Sequence, residues 1–116
     1  MKILIVDNDR GIRRLMTSML APLAPEVAEC GDGADALAAF EAHRPDVVLM
    51  DIGMRRLDGI AATAVIVAAH PAARVVIVTN YDDPDLRQAA SQAGACGYVL
   101  KEDLIELVPL LERLGC

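Results

Sequence analysis

Four apolar runs punctuate the chain, and each stops at a polar side chain. Ile3-Leu4-Ile5-Val6 meets Asp7, Val47-Val48-Leu49-Met50 meets Asp51, Val75-Val76-Ile77-Val78 meets Thr79, and Tyr98-Val99-Leu100 meets Lys101. Runs this short and β-branched fit strands buried on both faces of a parallel sheet. Between them the period becomes helical: Ile12, Leu15, Met16, Met19 and Leu20 form one apolar stripe, with Arg13 and Arg14 turned outward. Pro22 and Pro25 end that helix, and residues 26–29 read as a short second strand. Gly31-Asp32-Gly33 opens a second helix with Ala36, Leu37 and Phe40 inward, stopping near Arg44-Pro45. A third helix follows Leu57-Asp58-Gly59 and runs to about His70, ahead of a strand over 74–79. A fourth starts at Pro84 behind an Asp cap and runs to about Ala93, and a fifth starts at Asp103.

Strict alternation of strand and helix predicts right-handed crossovers and a parallel sheet covered on both faces. The expected fold is α/β, a doubly wound five-stranded sheet with five helices, and the order 2-1-3-4-5 is assigned by analogy. In such sheets ligands bind beyond the strands' carboxyl ends, at the switch point between the first and third strands. Asp7 and Asp51 would flank that point. Two carboxylates there suit magnesium, which takes one or two carboxylates and fills its shell with water and phosphate oxygens. An aspartate beside the ion can attack a phosphoryl donor, so Asp51 is the candidate nucleophile. Thr79 would donate a hydrogen bond to a phosphoryl oxygen, and Lys101, one of two lysines in the chain, would offer a point charge. A single strand-end Asp often only caps the next helix. Four such residues on one rim point to a site.

Composition narrows the rest. With 116 residues the chain is expected to be one domain, 1–116. A net charge of -6 argues against direct nucleic-acid binding, which depends on Lys and Arg. No run approaches the roughly 20 apolar residues of a membrane span, and Asp7 comes too early for a signal-peptide core. The expectation is therefore a cytoplasmic protein without membrane contact. Cys30, Cys96 and Cys116 are odd in number and lack metal-ligand spacing, which fits reduced thiols. His43 and His70 stand near helix-stopping prolines and read as surface residues.

Over essentially its whole length the chain resembles the CheY-like receiver domain of two-component response regulators, which has a flavodoxin-like fold. The matching stretches are Ile3-Leu4-Ile5-Val6-Asp7, Pro45-Asp46-Val47-Val48-Leu49-Met50-Asp51-Ile52-Gly53-Met54, Leu57-Asp58-Gly59, Val76-Ile77-Val78-Thr79 and Gly94-Ala95-Cys96-Gly97-Tyr98-Val99-Leu100-Lys101. The resemblance implies that Asp51 accepts a phosphoryl group from a histidine kinase or histidine phosphotransfer protein, with Mg2+. It implies Asp7, the residue at position 8, Asp51 and the carbonyl of Gly53 as metal ligands. It further implies that Thr79 and Lys101 read the phosphoryl group and that Tyr98 turns inward as Thr79 moves. The only chemistry would then be self-phosphorylation and self-dephosphorylation, with a second copy or an output domain as further partners.

The family pattern is broken in places. Asn8 stands where a second acid is usual, removing one charge from the metal site; Asp9, one place later, either reaches the ion through water or caps the first helix, the better fit. Arg55 replaces a customary proline, which leaves the loop after Asp51 less rigid, and with Arg56 it makes either a basic lip for a phosphodonor or a solvated loop. Asn80 would narrow the entry to Asp51, and Tyr81 falls where the family tunes dephosphorylation. Pro109 lies deep in the expected last helix, at a cost of roughly 3 kcal/mol or a kink, which unsettles the usual dimer face. From Ile60 to Ala69 the third helix carries no charge, so its outer face either meets a partner or is plain alanine-rich surface. Two other functions compete. A degenerate receiver would dock partners without a phosphate cycle. A haloacid-dehalogenase-type phosphatase would use Asp7 and Asp9, but the chain lacks its late acidic pair and any room for a cap.

Overall fold

The computed structural model describes residues 1–115, so Cys116 lies outside the described residues. Five strands, β1 (Lys2–Val6), β2 (Glu26–Cys30), β3 (Val47–Met50), β4 (Val75–Thr79) and β5 (Gly97–Leu100), form one parallel sheet of order 2-1-3-4-5. Five α-helices alternate with them: α1 (Arg10–Leu20), α2 (Ala36–His43), α3 (Gly59–Ala69), α4 (Pro84–Ala93) and α5 (Leu107–Gly115). The doubly wound architecture expected from the alternation is the one found.

Alternate residues of each buried strand feed opposite faces. Ile3, Ile5, Leu49, Val76 and Val78 join Met16, Leu20, Leu107 and Leu111 on the side of α1 and α5. Leu4, Val6, Val48, Met50 and Ile77 join Phe40, Ile66 and Ala90 on the side of α2, α3 and α4. Both faces of the central strands are thus dry, which explains the unbroken apolar runs. Aspartates start three of the helices: Asp9, Asp58 and Asp83 each accept a backbone N–H of the first turn. Asp9 is therefore the cap of α1.

Four expectations change. Leu15 is 49% exposed, while Arg13 turns inward instead of outward: its guanidinium donates to the Asp7 carbonyl at 2.5 Å and pairs with Glu29 at 2.8 Å. The first turn of α1 abuts the strand ends, so the position facing the rim takes a polar side chain. His70 is half-buried, bonded to Glu41 at 2.9 Å and tilted against the Phe40 ring. The last helix does not run unbroken from Asp103. A 3-10 segment, Lys101–Glu106, precedes α5, and Asp103 has non-helical torsions instead of capping. Pro109 consequently falls in the first turn of α5, where its missing N–H has no intrahelical acceptor to lose, and the expected penalty does not arise. The loop after Asp51, finally, is held by contacts with the β2–α2 turn, described below. Val65, on the outer side of the uncharged α3, is exposed. Among the described residues no helix is long and apolar enough to cross a membrane.

Candidate functional site

Register brings the rim together. Val6 pairs with Met50 across β1 and β3, so the next residues, Asp7 and Asp51, emerge side by side, and the Asp51 amide donates to the Val6 carbonyl at 2.9 Å. Thr79 and Leu100 are paired across β4 and β5, which places Lys101 one residue beyond. Asp7 is 1% exposed, Asp51 6% and Thr79 fully buried.

Lys101 reaches over both acids. Its Nζ lies 2.8 Å from Asp7 Oδ2 and 3.3 Å from Asp51 Oδ1. Asp7 Oδ2 is thus ion-paired with the ammonium and has no other hydrogen-bond donor. Asp7 Oδ1, by contrast, accepts the Asp9 amide at 2.8 Å. Burial, then the charge of Asp7, push the Asp51 carboxyl above the usual aspartate range, although Lys101 pulls it back. Burial lowers Lys101, but its contacts with Asp7 and Asp51 outweigh this and hold the ammonium above the ordinary lysine range. An electron-rich, partly dehydrated carboxylate pair is what a hard cation replaces water on. The acidic set stops at two, since an amide occupies position 8, and no group of three His, Cys, Asp or Glu converges among the described residues. The donors nonetheless fit one magnesium ion: two buried carboxylates, one of them with an oxygen that has no donor besides the Lys101 ammonium, beside a loop whose Gly53 is exposed.

The outer sites fall as follows. Asn8 and Asp9 are exposed at the start of α1, and Arg55 and Asn80 are exposed around the rim. Arg56 does not join Arg55 in a free basic lip: its guanidinium is paired with Asp35 and lies 3.9 Å from Asp32. Thr79 Oγ1 accepts the Tyr81 amide at 3.3 Å, and the Tyr98 hydroxyl donates to the Tyr81 carbonyl at 2.6 Å. The Arg87 guanidinium covers the Tyr98 ring at 4.5 Å and pairs with Asp82 at 3.1 Å. Tyr98 is thus tied to Thr79 through the backbone of residue 81. Composition could not have announced Arg13, Asp32 or Arg87 here: Arg13 meets Glu29 and Asp32 meets Arg56 across long stretches of sequence, and Arg87 meets the Tyr98 ring of the following strand.

A doubly wound sheet of order 2-1-3-4-5, with two acids and a lysine meeting at its carboxyl rim, defines an α/β domain of the signalling receiver type. A family model of the response regulator receiver domain matches residues 3–112, and the chain belongs to that family. It is 37% identical over 113 residues to the transcriptional regulatory protein PdtaR of Mycobacterium tuberculosis, covering 96% of this chain and 55% of that protein. It is 37% identical over 110 residues to the DNA-binding transcriptional regulator NtrC of Escherichia coli, covering 94% of this chain and 24% of NtrC. The chain thus spans about half or less of the length of these curated relatives. Among solved structures, a two-component response regulator of the LuxR family from Aurantimonas superposes with a TM-score of 0.89 at 32% identity, covering 97% of this chain and 83% of that one. A DNA-binding response regulator of the LuxR family from Staphylococcus aureus gives 0.88 at 29% identity, covering 97% and 96%.

Proposed function

We propose that this receiver domain is a phosphoryl acceptor in a two-component phosphorelay, with Asp51 as the residue modified. The observation that carries the reading is the arrangement of Asp7, Asp51 and Lys101 within ion-pair distance on the buried rim. A phosphohistidine of a histidine kinase or phosphotransfer protein is the donor. A carboxylate oxygen of Asp51 forms the bond to phosphorus as the histidine N–P bond breaks, and the departing imidazole takes up a proton. Magnesium held by Asp7, Asp51 and the Gly53 carbonyl, with Asn8 as a neutral fourth contributor, would offset negative charge on the transferring group. Lys101, relieved of Asp51, turns its ammonium to a phosphoryl oxygen, and the Thr79 hydroxyl donates to another.

Drawing Thr79 toward the acyl phosphate loosens its contact with the Tyr81 amide, and the Tyr81 carbonyl carries that movement to the Tyr98 hydroxyl. This is the route by which the α4 and β5 surface would register the modification. Asn80 and Tyr81 flank the entrance and set how readily water reaches the phosphoryl group; Arg55 attracts the donor. The relatives are named transcriptional regulators, which supports a reading in which the modified state is sensed by an output domain, a second copy or another protein. With a net charge of -6, DNA contact belongs to that partner.

Asn8 favours a second reading, a pseudo-receiver that docks partners without being phosphorylated. Intact-mass spectrometry after incubation with acetyl phosphate, with and without magnesium, separates the two. A magnesium-dependent gain of one phosphoryl group by the native chain and not by Asp51→Asn is expected. No adduct at any magnesium concentration would leave the pseudo-receiver standing.

A further inference from the structure

The segment between Asp51 and α3 has no proline to stiffen it, yet it is gripped from a neighbouring turn. Asp32, at the end of β2, is only 9% exposed, and both of its carboxylate oxygens are used. One accepts the Ala34 amide at 2.8 Å and caps a 3-10 turn, Gly33–Asp35. The other reaches across 24 positions of sequence to accept the Arg56 amide at 3.1 Å. The Arg56 guanidinium folds back onto Asp35 and Asp32. Gly33 completes the grip: a β-carbon there would lie 2.3 Å from the Leu57 carbonyl oxygen, so the two backbones are in direct contact. The amides of Ala34 and then Arg56 hold the Asp32 carboxyl below the usual range, consistent with a charge fixed in place.

We propose that Asp32 is a positioning residue for the acceptor site, clasping the loop after Asp51 so that Gly53 is presented to the cation. The inference rests on the acceptor reading above. A cap alone needs one carboxylate oxygen. The second oxygen, spent on Arg56 three residues beyond Gly53, is what a cap does not explain. Where other chains could fix this loop covalently with a proline, here it is fixed by a hydrogen bond and two ion pairs. The clasp acts behind the metal ligands and touches no reacting atom.

The test uses the native chain, Asp32→Asn, Asp32→Ala and Asp51→Asn, with Mn2+ as the probe, titrated by electron paramagnetic resonance. Asp32→Asn keeps a carbonyl oxygen for the Ala34 amide but loses the charge and sets an NH2 donor against the Arg56 N–H, so it separates clasp from cap. Both Asp32 variants are expected to bind Mn2+ roughly tenfold more weakly, the scale found when residues supporting metal ligands are removed. In the metal-free Asp32→Asn protein, amide exchange over Met54–Leu57 should quicken while the strands keep native protection. If Asp32→Asn binds Mn2+ as tightly as the native chain, or if exchange in that loop is unchanged, Asp32 is merely a cap and the proposal fails, whatever Asp32→Ala does. A native chain that binds Mn2+ no better than Asp51→Asn would instead overturn the acceptor reading, and the clasp's role with it.

Discussion

Gly59 lies directly against Asp51: a β-carbon on residue 59 would sit 1.8 Å from the Asp51 carbonyl oxygen and 2.7 Å from its carbonyl carbon. The Gly59 amide also donates to the Ile52 carbonyl at 3.0 Å, so the first turn of α3 is the floor beneath the candidate acceptor. Any side chain at 59 must displace backbone, not a flexible neighbour. Gly59→Ala is expected to destabilise the domain by about 2–3 kcal/mol, as overpacking of a tight site does. It should also reduce the yield of the Asp51 adduct below what its stability predicts. Urea melts alongside intact-mass assays check both.

Asp51 is held at the expense of folding stability. A carboxyl raised in the folded state stabilises the fold while protonated; that contribution is complete below the ordinary aspartate pKa and is lost as pH climbs through the raised value. Ionised Asp51 is therefore a net burden at neutral pH. Asp51→Asn should melt a few degrees higher than the native chain near neutrality, with the gain shrinking toward about pH 4. Thermal melts across that interval test the claim, and equal melting at every pH would refute it.

Lys101 works in the opposite sense. Because its folded pKa is raised, its stabilisation is complete below the ordinary lysine value and disappears as pH rises through the raised one. Lys101→Met leaves two buried carboxylates without their counter-charge, and a loss of about 2–3 kcal/mol is expected at neutral pH, less than for a wholly buried pair because the ammonium is partly solvated. The ammonium also competes with a metal for the same oxygens. The variant should therefore bind Mg2+ more tightly than the native chain and recover stability when it is added. Calorimetric titration and melts with and without magnesium measure both effects.

Arg87 stands over Tyr98 while pairing with Asp82, which holds the tyrosine ring from its exposed side. Arg87→Ala should cost only about 0.5–1 kcal/mol, the range for an exposed cation–π contact. Its larger effect should be on ring order: Tyr98 resonances in an NMR spectrum should shift and broaden, with smaller changes at Tyr81. An unchanged Tyr98 signal would show that the hydroxyl bond to residue 81 suffices.

The strands were legible because a residue buried on both faces leaves its mark locally: Val47 to Met50 could be nothing that water touches. The same runs announced Asp7, Asp51, Thr79 and Lys101, whose neighbourhood then follows from register. The order of the strands came from the resemblance, since pairing is a long-range property that no local pattern encodes. Leu15 and Arg13 show where periodicity misleads. A helical stripe assumes one uniform core, but the start of α1 faces the polar rim, and there Arg13 belongs inside. The clasp between Asp32 and Arg56 was illegible for a related reason. Each residue is ordinary in its own turn, and only the folded chain makes them neighbours.

Pro109 has a mechanical consequence. An α-helix continued backward from α5 would need an N–H at residue 109 to bond the Ile105 carbonyl, and the proline ring would press on that carbonyl instead. The 3-10 arm that starts with Lys101 cannot anneal into the helix behind it. The break in the segment lies at Asp103, whose torsions are non-helical, whereas Leu107 is already helical. A displacement of Lys101 would therefore be taken up at Asp103 as a change of angle before it reached α5.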